Sequence, residues 1–255
     1  MNIFVEFDPW SRLGNRMFQY AFGHILASLR PNRRLYTNGL PNFNIPPSLN
    51  IPVPENPTYT REYGHHYTNF DLFKYTDRDI VVNSFLQKSR YYLPYREDLK
   101  FLFSFERKPI NENTLVLHVR ETDYQLINCF LGYDYYKALI NQSGFTDVLI
   151  VTDNSNCDTV KRLVSDGCRL NSEGNVNSFC SISDSRSMLD FYTLANSPNI
   201  ALSQSSFSWW AAFLGDHKKI IFPYTNKSGM WKINPEHDDV DLYFDLGSSI
   251  KFIHE

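Results

Sequence analysis

The sequence predicts an α/β protein on three observations. Asn2 to Phe7 reads as a strand that passes through a loop holding one glycine, Gly14, into an apolar segment of helical period. From Thr114 onward, short apolar runs of strand length alternate with helical segments. Finally, I-A-L-S-Q-S-S-F-S-W-W-A-A-F-L, from Ile200 to Leu214, joins a buried strand to a dense apolar helix through Ser203, Gln204, Ser205 and Ser206. Unpaired backbone N–H groups and small hydroxyls at such a junction favour an anion, and a nucleotide diphosphate is the commonest anion there. The same residues read equally well as a Ser-capped core helix.

At 255 residues the chain has room for one large domain or two modest ones. Its 42% hydrophobic and 21% charged content argues against extended disorder. A formal net charge of -3 excludes a generally basic nucleic-acid binder while leaving room for a local basic pocket. The 16% aromatic content fits a carbohydrate-facing cleft, and fits a large Phe-rich core as well. Cys129, Cys157, Cys168 and Cys180 show no C-x-x-C spacing, so we expect free thiols in a reducing compartment. The start, M-N-I-F-V-E-F-D, is too short and acidic for a signal peptide, and no run approaches the ~20 apolar residues of a spanning helix. The expectation is a soluble, cytoplasmic protein without a transmembrane anchor, of bacterial or viral origin.

In chain order, the first strand leads through Asp8–Arg16 to a helix in which Met17, Tyr20, Ala21, Ile25 and Leu29 recur at helical spacing. Strand, Gly-containing loop and helix open a Rossmann-like half. Residues 31–60, rich in Pro and Asn and without period, are expected to be irregular loops over an acceptor-side surface. Asp79–Leu86 reads as a strand, and the polar stretch Glu106–Asn113 is the best boundary between a first domain, 1–110, and a second, 111–255. In the second, Thr114–Arg120 is a buried strand with charge at its end. Tyr133–Ile140 is a helix, Val148–Thr152 a strand ending in Asp153-Asn154, and Asn156–Val164 and Ser187–Asn196 are helices. Ile220–Phe222 is read as a last short strand before a Tyr- and Asp-rich tail, which is expected to pack back on the first half.

Three polar clusters follow strands of the second half: His118-Val119-Arg120 through Asp123-Tyr124, Thr152-Asp153-Asn154, and Ser203 through Ser206. In open α/β sheets, ligands bind beyond the carboxyl ends of the strands. An Arg that clamps phosphate oxygens, a carboxylate that accepts from a base N–H and a Ser-rich helix start together suit a nucleotide. Taken singly, Arg120 reads as a structural bridge to Asp123, and Asp153 as a helix cap.

The segments L-G-N-R-M-F-Q-Y-A, H-V-R-E-T-D-Y and S-S-F-S-W-W-A-A-F-L resemble, in order, motifs of the α-1,2-fucosyltransferase family. More loosely, Arg12 to Asn15 is similar to the Gly-rich loop of protein O-fucosyltransferases. The resemblance implies the fold called GT-B, two Rossmann-like halves facing across a cleft. It also implies an inverting, metal-independent glycosyltransferase with no cofactor, moving L-fucose from GDP-fucose onto a glycan or glycoconjugate hydroxyl. By that analogy Arg120 binds the donor pyrophosphate, Asp153 helps hold the base, and Ser205 and Ser206 hold phosphate. Asn15, with Gly14, faces the reacting sugar, and Arg12, His118 and Phe207 complete the donor-binding set. Arg120, Asn15, Glu121 and Asp123 are the catalytic candidates, with Glu121, Asp123 and Glu6 as possible bases.

The sequence also departs from the family. Glu121 and Thr122 stand where the family has Arg and Gly, Arg16 where it has Gln, and Gln204 where it has Asn. A carboxylate at 121 weakens a diphosphate pocket, and Arg16 is expected to return a positive charge from the opposite wall. These changes bring in two alternatives: another donor on the same scaffold, such as UDP-xylose or a GDP/UDP-rhamnose type, or a non-catalytic sugar- or nucleotide-binding protein. A metal-dependent transferase would need an Asp-x-Asp. Asp77-Arg78-Asp79 and Asp239-Val240-Asp241 supply the letters, but the first precedes its strand. His65-His66 is expected to be an exposed loop pair.

Overall fold

A computed structural model describes residues 1–7, 11–62, 65–66, 70–122, 130–171, 185–225 and 240–254. The chain forms two compact units, divided between Ser104 and Phe105. The division therefore falls ahead of the boundary expected near residue 110. Each unit is built on its own parallel sheet, so the α/β class holds for both.

In the first unit, β1 (Asn2–Val5) runs into α1 (Leu13–Ser28). Ile3, Phe4 and Val5 are fully buried, as are Met17, Phe18, Ala21, Phe22 and Leu26 of the helix. The helix lies close against the strand because residue 23 is glycine: a Cβ there would meet Val5 Cγ2 at 2.5 Å. β2 (Arg34–Thr37) and β3 (Thr58–Tyr59) follow, then a small antiparallel pair, β4 (Arg61–Glu62) with β5 (His65–His66). Residues 31–60 thus contribute two strands, against the expectation of irregular loops, and His65-His66 lies in a short strand. α2 (Phe70–Tyr75) and β6 (Ile80–Val82) come next, then α3 (Ser89–Tyr92) and α4 (Arg96–Leu102). The sheet order is β2-β1-β6-β3, all parallel.

Arg33, 6% exposed, fastens the amino-terminal side of β2. Its guanidinium donates to the carbonyls of Leu26 (2.9 Å), Phe73 (3.2 Å), Lys74 (2.9 Å) and Thr76 (3.2 Å), and so satisfies the open ends of α1 and α2 together.

The second unit runs β7 (Thr114–Val119), α5 (Gly132–Ser143), β8 (Asp147–Thr152), α6 (Asp158–Ser165), β9 (Arg169–Leu170), α7 (Ser185–Asn196) and β10 (Asn199–Ala201). It continues with α8 (Ser206–Leu214), β11 (Lys219–Thr225) and β12 (Ser249–His254). The six strands are parallel, in the order β12-β11-β10-β7-β8-β9. Counted one to six along the chain, this is the doubly wound order 3-2-1-4-5-6, with its topological switch between β7 and β10. β7 is buried at every position, as a central parallel strand must be.

α8 is apolar on every side, with Ser208 through Leu214 all buried, and the tail explains why. The Trp209 indole donates to the Leu242 carbonyl (2.6 Å), and Phe244 packs on Trp209, Phe213 and Phe222 with ring centroids 5.5, 5.6 and 5.1 Å away. The tail therefore returns to the first unit only up to Asp241; from Leu242 it covers α8 and ends as the edge strand β12. Gly215 closes α8 for want of space: its φ is -76°, and a Cβ would meet the Ala195 carbonyl at 2.5 Å and crowd His217.

Among the described residues, no helix is long and apolar enough to cross a membrane.

Candidate active site

The sheet order places the three polar clusters of the second unit side by side. Val119 pairs with Thr152 and Leu117 with Ala201, so Arg120, Asp153 and Ser203 all follow directly at the carboxyl ends of neighbouring strands. These strands flank the switch point, where an open parallel sheet leaves a crevice for ligands.

Asp153 is the hub. Its Oδ2 lies 3.0 Å from Arg120 Nε and accepts from the Thr122 hydroxyl, and its Oδ1 accepts from the Glu121 main-chain N–H at 3.3 Å. The two charged side chains are only 11% and 18% exposed. The pair fixes the plane of the guanidinium, and a base N–H at Asp153 would have to share an acceptor already in use. Arg120 thus bridges to a residue that follows the next strand, and Asp123 lies outside the described residues.

His118 is 3% exposed, with Nδ1 2.7 Å from the Ser203 hydroxyl and its ring 5.8 Å from that of Phe207. Burial pushes its pKa down to about 3, against the pull of Asp153 and with the push of Arg120, so the imidazole is neutral. Phe207 in turn packs on Phe191 of α7 at 5.4 Å. Ser205 is the N-cap of α8: its hydroxyl accepts from the Phe207 N–H at 3.3 Å, and its carbonyl accepts from Trp209 N–H at 3.0 Å. Ser206 begins the helix and is half-buried. The Ser-capped helix and the anion-favouring helix start thus coexist in one turn.

Glu121 is 2% exposed, and its Oε1 has no hydrogen-bond partner. Its neighbour Cys157 is a free thiol that burial raises to about 12, with the Glu121 carboxyl adding to the same shift. The Tyr136 hydroxyl is fully buried against the same strand end, and burial holds its pKa well above the ordinary tyrosine value despite the Arg120 main chain beside it. Cys168 is free as well, while Cys129 and Cys180 lie outside the described residues.

In the first unit, Arg12 is the N-cap of α1 and accepts the Arg16 N–H at 3.1 Å through its carbonyl. Gly14 is buried in the first turn, and Asn15 beside it accepts a hydrogen bond from Gln87 Nε2 at 2.9 Å. Arg16 Nε donates to the Ser11 carbonyl at 2.7 Å, and the guanidinium sits 5.2 Å from the Phe7 ring centroid. Glu6 is exposed at the end of β1. Gln87 was not legible in the sequence, since nothing in its type or spacing marks it.

The Asp-x-Asp candidates have structural partners. Asp77 pairs with Arg30 at 2.7 Å, Asp79 accepts the Asn2 main-chain N–H at 2.7 Å, and Asp241 bridges to Lys88 through the main chain. Asp239 lies outside the described residues. Among the described residues, no group of three or more His, Cys, Asp or Glu side chains converges on a possible metal position.

No family model matches the chain, and no curated protein matches it. Among solved structures, the chain is similar to NodZ alpha-1,6-fucosyltransferase co-crystallized with GDP, at 14% identity and a TM-score of 0.48, over 86% of this chain and 93% of that one. The same enzyme soaked with GDP-fucose gives 13% identity and a TM-score of 0.47, with the same coverage.

Proposed function

We propose that the protein is an inverting, metal-independent glycosyltransferase that moves a sugar, L-fucose from GDP-fucose first among the candidates, onto a glycan hydroxyl. One observation carries the reading. Three polar groups, Arg120, Asp153 and the Ser205–Ser206 helix start, follow adjacent strands at the switch point of a doubly wound sheet. Displacement at an anomeric carbon builds negative charge on the departing diphosphate. A guanidinium held by Asp153 and the amino end of α8 are the groups that would stabilise that charge. The acceptor hydroxyl gives its proton to a carboxylate or to the leaving phosphate. Glu121 is buried away from an incoming hydroxyl, so Asp123 and Glu6 are the better base candidates.

Glu121 supports the competing readings, another nucleotide sugar or a binding protein without turnover. It puts a buried carboxyl beside the phosphate-facing strand end. Thermal unfolding with GDP, UDP and dTDP, each with and without EDTA, separates these readings. A ligand at ~100 times its dissociation constant adds about 2.7 kcal/mol of stability. A shift with GDP alone, unchanged by EDTA and lost in Arg120→Ala but kept in part by Arg120→Lys, is the expected result. A shift with UDP would change the donor; binding without turnover of any nucleotide sugar would leave a binding protein; no shift with any nucleotide would reject the site.

A further inference from the structure

We infer that Gln87 is the positioning residue for Asn15, fixing which end of the Asn15 amide faces the carboxyl edge of the first sheet. The inference rests on the proposed function in taking Asn15 to face the reacting sugar. Asn15 stands in the first turn of α1, after β1, and Gln87 in the loop after β6, the strand paired beside β1. Their side chains meet beyond the carboxyl ends of these two strands, with Gln87 Nε2 donating to Asn15 Oδ1 at 2.9 Å. An asparagine amide can turn over and exchange its acceptor for its donors. With Oδ1 taken by Gln87, the Asn15 NH₂ group is the arm left to donate, and it suits an oxygen of a sugar or phosphate.

The loop around Gln87 is built to hold it. Leu86, an apolar residue 6% exposed, has a φ of 50°, a left-handed conformation that a side chain adopts only when its surroundings impose it. The Leu86 carbonyl accepts from the Tyr92 hydroxyl at 2.9 Å and from Lys88 N–H at 2.8 Å, and Tyr92 itself is buried against Phe18. On the other side the returning tail fastens the same loop: Asp241 N–H donates to the Gln87 carbonyl at 2.9 Å, and Ser89 N–H to the Asp241 carbonyl at 2.8 Å. A strained residue, a buried tyrosine and a distant stretch of chain thus converge on one half-turn, from which the Gln87 side chain reaches the first turn of α1.

The test is Gln87→Glu, equal in size but unable as a carboxylate to donate, beside Gln87→Leu. In protein labelled with ¹⁵N-asparagine, the Asn15 side-chain pair, assigned by its loss in Asn15→Asp, should shift in both variants while the other asparagine signals stay. In sugar transfer, kcat should fall roughly tenfold or more with the donor KM unchanged, and Gln87→Glu should add nothing to Asn15→Asp. An unmoved Asn15 signal in both variants would overturn the inference, as would a shifted signal with unchanged kcat. If the unaltered protein transfers no sugar, the functional reading fails by itself, and the amide signal alone decides whether Gln87 positions Asn15.

Discussion

Lowering the pH from 7 to 5 should cost the second unit about 2 kcal/mol of stability through His118 alone. The folded protein holds this imidazole neutral, with a pKa of about 3 against an ordinary 6.5, because it is buried beside Ser203 and Phe207. The sign follows from proton counting. Below pH 6.5 the unfolded chain takes up a proton that the folded chain refuses. The stability is therefore fully present above 6.5 and lost at about 1.4 kcal/mol per pH unit as pH falls towards 3. Between 6.5 and 5 that is about 2 kcal/mol, and it depends little on the folded value so long as that value stays well below 5. Other carboxyl groups titrate over the same range, so the readout is a difference. Urea unfolding of the wild type and of His118→Gln, followed by the fluorescence of Trp209 and Trp210, should lose midpoint at different rates on acidification. The wild type should lose more by the stated amount. Parallel losses in the two proteins would refute the neutral, buried imidazole.

Substitutions at two other residues test the supports of the two units. Ser205→Ala removes the α8 cap and should cost about 1 kcal/mol, a fall of a few degrees in the midpoint, whereas Ser205→Asp keeps the cap and stability but repels an anion. Loss of GDP-induced stabilisation in Ser205→Asp with an unchanged apo midpoint would separate the cap from the anion site; retained GDP binding would remove Ser205 from it. Arg33→Met takes charged donors from four carbonyls and should cost the first unit about 3 kcal/mol, read by calorimetry. A midpoint within one degree of wild type would show that those carbonyls find other partners.

What the sequence made legible follows from segment length and from range. β7, β8 and α8 were readable because long apolar runs between polar breaks leave little choice of element. β2 and β3, four and two residues long among prolines and asparagines, are too short to show a period; pairing with β1 and β6 makes them strands. β12 looked like tail because its alternation is broken, with Ile250 and Ile253 both exposed. The same limit applied to the site. The clusters are visible because they follow strands, but local spacing offers Arg120 a partner in Asp123, three residues away. The register between β7 and β8 brings Asp153 to it from the next strand end, while Asp123 lies outside the described residues. Gln87 meets Asn15 across 72 residues of chain, and no local pattern encodes that.

The charge balance at the switch point of the second unit bears on how an anion would be held. His118 is neutral, and Arg120 is set against the carboxyl groups of Asp153 and Glu121, so these four side chains do not sum to a positive field. A diphosphate drawn there would depend on direction: Asp153 fixes the Nε side of the guanidinium, and α8 begins with backbone dipoles aimed at its own amino end. Such binding is short-ranged. Asp153→Asn bears on this directly, because it removes a competing acceptor but also loosens the plane of Arg120. If the Asp153 carboxylate mainly competes with a nucleotide diphosphate, GDP should bind the variant more tightly. If it mainly orients Arg120, GDP should bind less tightly, by about tenfold for the ~1.4 kcal/mol of one charged hydrogen bond. The buried pair, with both carboxylate oxygens in use, favours orientation, and tighter GDP binding in Asp153→Asn would refute that view.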